Sequence, residues 1–234
     1  AAELGIDPIE FRLMNAVEQG DANMMGAPYN RIGLRECLEV ARNHEHYKSA
    51  VADGVGRGVA MGYWINAGMQ SSATLNVIAD GHVAILTGSP DIGGSRASMA
   101  LMASEVLGIP FEQIHPQVAA TDAVGHTDLT GGSRTTLATG QAVIQAAEQC
   151  VAELCRRAAE EWEVEPGVVT WSQGAAHYGD QSLTFEELAS RAGAMGGPLT
   201  FSSSLSSTST APGIGVHICD AEVDTETGRT TVTR

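Results

Sequence analysis

The sequence predicts an α+β fold in which mixed and antiparallel β-sheets pack with helices in two layers. Three observations carry this. Helix-start signals recur at Asp7-Pro8, Ser95 and Thr184, alternating strand-like runs flank an Asp-Gly turn at 80–81, and a second alternating pair closes the chain. Helices and strands interleave without a strict β-α-β alternation, which favours α+β.

In chain order, Asp7-Pro8-Ile9-Glu10 combines a capping carboxylate, a proline at the first helical position and an acidic residue three on. The apolar run Phe11, Leu13, Met14 and Val17 follows, so a short amphipathic helix starts there. Leu34, Cys37, Leu38 and Ala41 repeat at three and four, placing a second helix from about 33 into the forties, ended before Asp53-Gly54. From Arg57, alternation of Val59, Met61, Tyr63 and Ile65 and the hairpin Thr74–Ala79/His82–Thr87 predict a meander of about three strands. A helix over Ser95–Leu107 stops at Gly108, with Pro110 beyond. Gln117–Thr121 reads as a strand, Asp122–Gly132 as a polar loop, and Ser133 to about Trp162 as a long helix. A close backbone contact is expected at the interrupting Gly140. Thr184-Phe185-Glu186-Glu187 is a capping-box pattern for a helix to about Arg191. Gly193–Pro212, rich in Ser, Thr and Gly, is expected to be a long loop, and Val216–Thr233 a hairpin turning at 224–228. The domains expected are a helical segment 1–54, a glycine-loop α+β region 55–192, and a loop-plus-hairpin segment 193–234 that leads into a continuation.

Composition narrows the function. With 13 Lys+Arg against 28 Asp+Glu, a net charge of −15 excludes a nucleic-acid or anionic-membrane surface, and no run is long and apolar enough for a membrane span. Cys37, Cys150, Cys155 and Cys219 match no zinc or iron–sulfur spacing and read as buried free thiols of a reducing cytosol. The seven histidines show no ligand spacing either, and no nucleophile elbow is present.

The chain's 27 glycines, well above the usual ~7%, include two loops that open helices. In Gly88-Ser89-Pro90-Asp91-Ile92-Gly93-Gly94-Ser95-Arg96, the position that a phosphate-binding P-loop fills with Lys holds Gly94, which excludes triphosphate hydrolysis. The second loop, Thr130-Gly131-Gly132-Ser133-Arg134, repeats the Gly-Gly-Ser-Arg order. Each offers backbone donors, a hydroxyl and a guanidinium, together a cradle for a large anionic cofactor. Ordinary helix caps with surface arginines would share the pattern.

These loops, with Leu4–Ala16, Gly56-Arg57-Gly58-Val59-Ala60, Glu105–Pro110, Gly140-Gln141-Ala142-Val143 and the final Val216–Arg229 stretch, resemble in the same order the large subunits of molybdenum hydroxylases, the xanthine dehydrogenase and aldehyde oxidase family. The resemblance implies a molybdopterin-binding region that holds a pterin or its cytosine dinucleotide form through backbone amides. Metal would be bound by the cofactor's dithiolene and not by protein ligands. It implies cofactor contacts at Gly93, Gly94, Ser95, Arg96, Gly131, Gly132, Ser133 and Arg134, with Gly94 standing where the family usually carries Gln. It further implies hydroxylation of a carbon centre of a small-molecule substrate, using water. The family's general-base glutamate lies beyond the matched hairpin, and [2Fe-2S] clusters and FAD would sit on other domains or subunits. The chain would then be inactive alone. A non-catalytic assembly module that keeps the fold without the cofactor is the alternative.

Overall fold

The computed structural model describes residues 1–24, 26–208 and 212–234. In chain order its main elements are α1 (Pro8–Met14), α2 (Leu34–Asn43), α3 (Glu45–Lys48), β1 (Val55–Trp64), β2 (Met69–Val77), β3 (Val83–Thr87), α4 (Ser95–Leu107), β4 (Ile114–Val118), α5 (Gly140–Glu161), β5 (Thr170–Ser172), β6 (Ala175–Tyr178), β7 (Gln181–Thr184), α6 (Phe185–Ser190), β8 (Leu199–Ser207), β9 (Gly213–Val223) and β10 (Thr230–Val232). The contacts divide it into two compact units, Ala1–Asn66 with Thr210–Arg234, and Ala67–Ser209. These differ from the expected segments 1–54, 55–192 and 193–234.

In the first unit, β1 pairs antiparallel with β9 over its whole length, and β10 folds back on β9. The expected meander is therefore corrected: β1 joins no sheet with β2 and β3, because its partner lies well over a hundred residues away, beyond the reach of local pattern. Asp7 caps α1 through the amides of Ile9 (2.8 Å) and Glu10 (3.0 Å) and accepts from the Tyr47 hydroxyl. Ile9, Leu13, Leu34, Leu38 and Ala41 form a small core packed on Val59, Val216 and Ile218. Arg57 and Asp220, opposite each other in the β1–β9 register, make a bidentate pair at 2.7 Å, and His46 Nε2 lies 3.0 Å from the same carboxylate. Arg57 holds Asp220 well below the usual carboxylate range.

The second unit is built on the sheet β4-β3-β2-β8. β2 and β3 form the hairpin expected at Asp80-Gly81, and β3 reaches the parallel β4 through α4. β4 starts three residues before the expected strand. Pro116 disguises it, and is tolerated because β4 is an edge. α5 packs on β2, β8 and α4, closing a core of Leu75, Val83, Ile85, Leu107, Val143 and Leu154. The long helix expected from Ser133 begins instead as a π-helical turn, Thr135–Thr139, before α5.

The expected loop 193–212 is corrected over its described residues. It contains β8, whose Ser and Thr alternate with inward Leu199, Phe201, Ser203 and Leu205, and whose Ser203 hydroxyl bonds Gln145 at 2.7 Å. Serine satisfies a half-buried edge strand as long as its hydroxyls find partners. The preceding turn is pinned by Arg157, which donates to the carbonyls of Gly197 (2.8 Å) and Ala192 (3.3 Å). Residues 209–211 of the expected loop lie outside the described residues.

A small three-stranded sheet, β5-β6-β7, sits against the end of α4. Trp171 Nε1 donates to the Leu107 carbonyl at 3.0 Å, and Gly108 and Gly174 meet backbone to backbone, both near φ 70°. A Cβ on Gly108 would collide with the Gly174 amide nitrogen, whereas one on Gly179 (φ 57°) meets nothing within 4 Å. Gly179→Ala is expected to cost the left-handed backbone penalty alone, about 1–2 kcal/mol. Gly108→Ala should cost about 1–3 kcal/mol more from overpacking, read from urea unfolding midpoints; equal losses would contradict this contact.

Candidate functional site

The first glycine loop connects β3 to α4. Gly93 and Gly94 adopt φ 77° and 107°, conformations open to glycine, and a Cβ on either would meet nothing within 4 Å. The free end of α4, however, already holds an anion from its own chain. Asp91 Oδ1 accepts from the Gly94 amide (3.1 Å), the Ser95 hydroxyl (3.0 Å) and the Arg96 amide (3.4 Å), while Oδ2 accepts from Arg96 Nε at 2.9 Å. Arg96 is the first cause holding Asp91 down, to about 2. Asp91 thus engages the Gly94 and Arg96 amides, the Ser95 hydroxyl and the Arg96 guanidinium, donors that the sequence offers to a large anion. Beside the loop, Asp91, Gly94 and Arg96 share with Phe111, His115 and Gln117 the lining of an open groove of about 610 Å³.

The second loop differs in kind. Its Arg134 is fully buried, at 0% exposure. Nε donates to the Gly68 carbonyl (2.9 Å), Nη1 to Asp128 O (2.9 Å) and Leu129 O (3.5 Å), and Nη2 to Gln70 O (2.6 Å) and to the Ser71 hydroxyl. Burial lowers its pKa, and the charge of Asp128 opposes that shift. This guanidinium is occupied by the strand entering β2 and by its own loop. The adjacent glycines also serve packing. A Cβ on Gly131 would lie 2.7 Å from Leu129 Cδ1, and one on Gly132 2.8 Å from the Ala67 Cβ. Ser133, at φ 53°, completes the turn into the π-helical segment.

The two loops meet through hydroxyls that the sequence reading missed. Thr139 Oγ1 lies 2.9 Å from Ser71 Oγ and 2.8 Å from Ser89 Oγ, all three buried, so Arg134, Ser71, Thr139 and Ser89 form one chain. No local pattern marks these residues, since they come from three separated segments. Asp91 was legible as an acidic residue just ahead of a helix, the pattern of an N-terminal cap. Gly140 admits Met102 of α4, whose sulfur occupies the space of a Cβ; the close contact there is made by a side chain and not by the backbone expected.

Elsewhere the candidates disperse. A mainly apolar hollow of about 490 Å³ in the first unit, lined by Cys37, Val40, Val216 and Ile218, contains none of the expected site residues. All four cysteines are free; Cys150 is buried, which pushes its thiol up to about 12, whereas Cys37, Cys155 and Cys219, expected to be buried as well, are half-buried. Among the described residues no group of three or more His, Cys, Asp or Glu side chains is placed to hold a metal ion, and no helix is long and apolar enough to cross a membrane.

Two tests follow from the opposite fates of the matching arginines. Arg134→Met, which leaves several buried acceptors unpaired, is expected to lower unfolding stability by about 3 kcal/mol or more, whereas Arg96→Ala should leave the urea midpoint nearly unchanged. Equal effects would refute the distinction. Because the folded pKa of Asp91 lies below its ordinary 3.8, its contribution is complete above that value and is lost as pH falls toward about 2. Carboxyl NMR should show Asp91 titrating near 2; titration near 4 would contradict the cap.

Comparison with known proteins supplies a family. Residues 34–234 match the family model described as the molybdopterin cofactor-binding domain. The aldehyde oxidoreductase molybdenum-binding subunit PaoC of Escherichia coli K12 is 36% identical over 124 residues, covering 49% of this chain and 17% of PaoC. The putative xanthine dehydrogenase molybdenum-binding subunit XdhA of the same organism is 27% identical across 100% of this chain and 34% of its own length. Among solved structures, CO dehydrogenase from Oligotropha carboxidovorans superposes with a TM-score of 0.89 at 20% identity, covering 99% of this chain and 34% of that one. Quinoline 2-oxidoreductase from Pseudomonas putida 86 gives 0.85 at 20% identity, covering 100% and 34%. The chain thus spans about a third or less of these relatives, and the structural likenesses establish the α+β fold.

Proposed function

The chain belongs to the molybdopterin cofactor-binding domain family, and we propose that it forms part of the cofactor-binding region of a molybdenum hydroxylase that hydroxylates a carbon centre of a small molecule using water. The observation that carries this reading is the Gly93–Gly94 turn, open at both Cβ positions beside a groove of about 610 Å³, in a chain of that family. The turn fits the close approach of a planar, hydrogen-bonding ring. Asp91 is ionised and already seated on the α4 amides, so this end repels a phosphate. Gly93, Gly94 and Ser95 would therefore meet the neutral part of the cofactor through their backbone, and the anionic tail would be held elsewhere in the longer protein. Arg96 orients Asp91 at the rim. Gly131, Gly132, Ser133 and Arg134 act behind that surface, fixing the loop that supports it. When bound, the cofactor supplies the molybdenum and the oxidation–reduction chemistry.

The remaining large-subunit domain and iron–sulfur and FAD subunits would complete the enzyme. The relatives named as molybdenum-binding subunits support that division of labour. The four free cysteines support a cytoplasmic setting. A second reading, a non-catalytic assembly module, is favoured by one observation: Gly94 occupies the family's Gln position at φ 107°, where a restored Gln side chain would strain the backbone.

Elemental analysis of the assembled protein separates the two. The cofactor reading predicts molybdenum near one equivalent, and phosphorus near one equivalent, or two for a dinucleotide, beyond the two that each bound FAD contributes. It also predicts loss of most of the metal in Gly93→Val and its retention in Gly179→Val. Metal-free wild-type assemblies, or full metal in Gly93→Val, would contradict it.

A further inference from the structure

The root of the first loop and the helix that follows the second converge on one side chain. Thr139 ends the π-helical turn, is itself 0% exposed, and bridges Ser71 on β2 to Ser89 just after β3. Arg134 donates to Ser71. In either donor direction along the chain the hydroxyls of Ser71, Thr139 and Ser89 remain paired, so the relay is satisfied only while all three stay in place. One residue further on, Gly140 receives Met102 of α4, so the helix following the first loop and the helix following the second interlock beside the same hydroxyl. π-Helical turns of this kind interrupt the regular ladder and are often found at functional sites.

We propose that Thr139 is a positioning residue that couples the two glycine loops, so that Gly93–Arg96 hold their geometry only while Arg134 is seated in the second loop. This rests on the reading that the first loop faces the cofactor. The hydroxyl is the active feature: valine preserves the volume but leaves the Ser71 and Ser89 hydroxyls facing a methyl group, while serine preserves the relay.

The test is hydrogen exchange on the full assembled protein as isolated, comparing wild type, Thr139→Val and Thr139→Ser. In Thr139→Val, amides of 89–98 are expected to exchange about tenfold faster. In Thr139→Ser they should stay near wild type, and segment 170–184 should keep its protection in both. Unchanged exchange over 89–98 in Thr139→Val, or equal acceleration in valine and serine variants, overturns the proposal. If Thr139→Val fails to fold, Ser89→Ala carries the same test, with 89–98 accelerated and 68–72 unchanged; unaltered exchange over 89–98 overturns the coupling. Molybdenum content of the same samples separates the two claims. A metal-free wild type that shows the exchange pattern defeats the cofactor reading and leaves the coupling standing.

Discussion

The second unit depends on a charge held without an ion pair. Arg134 is sealed from solvent and surrounded by the carbonyls of Gly68, Gln70, Asp128 and Leu129 and by one serine hydroxyl. Withdrawing a guanidinium from water is costly unless its fan of donors is matched, and here backbone dipoles do the matching. The consequence is geometric. The strand entering β2, the polar loop before α5 and the start of the π-helical turn are fixed to a single planar group, so none of them moves alone. The Ser71–Thr139–Ser89 chain extends that constraint to the root of the loop ahead of α4.

Much of the local fold was legible in the sequence. The caps at Asp7 and Thr184, the α4 boundaries, the Asp80-Gly81 hairpin and the final hairpin each rest on interactions within a few residues, and each stands in the structure. The failures share a cause. β1 pairs with β9 and β8 with β2 across more than a hundred residues, and a Ser-rich strand has no hydrophobic alternation to announce it. β4 was hidden by a proline that an edge can accept.

The candidate loops show the same limit at the level of side chains. Two Gly-Gly-Ser-Arg stretches look equivalent, yet Arg96 lies at the rim, 56% exposed and paired with Asp91, while Arg134 is interior. What separates them is the environment supplied by distant strands, which the motif does not encode. In the first loop an internal carboxylate sits on the helix amides, and the glycine backbone beside it stays open. In the second, the glycines admit Leu129 and Ala67 and the arginine becomes scaffold.

The most direct measurement of this account is ¹⁵N NMR of the arginine side chains in the full chain near neutral pH. A buried, fully matched Arg134 predicts one guanidinium with resolved Nη protons and slow exchange with water, distinct from the averaged signals of exposed arginines such as Arg96. If every guanidinium exchanged rapidly and no Nη protons were resolved, Arg134 would not be the buried clamp on which the loop architecture depends.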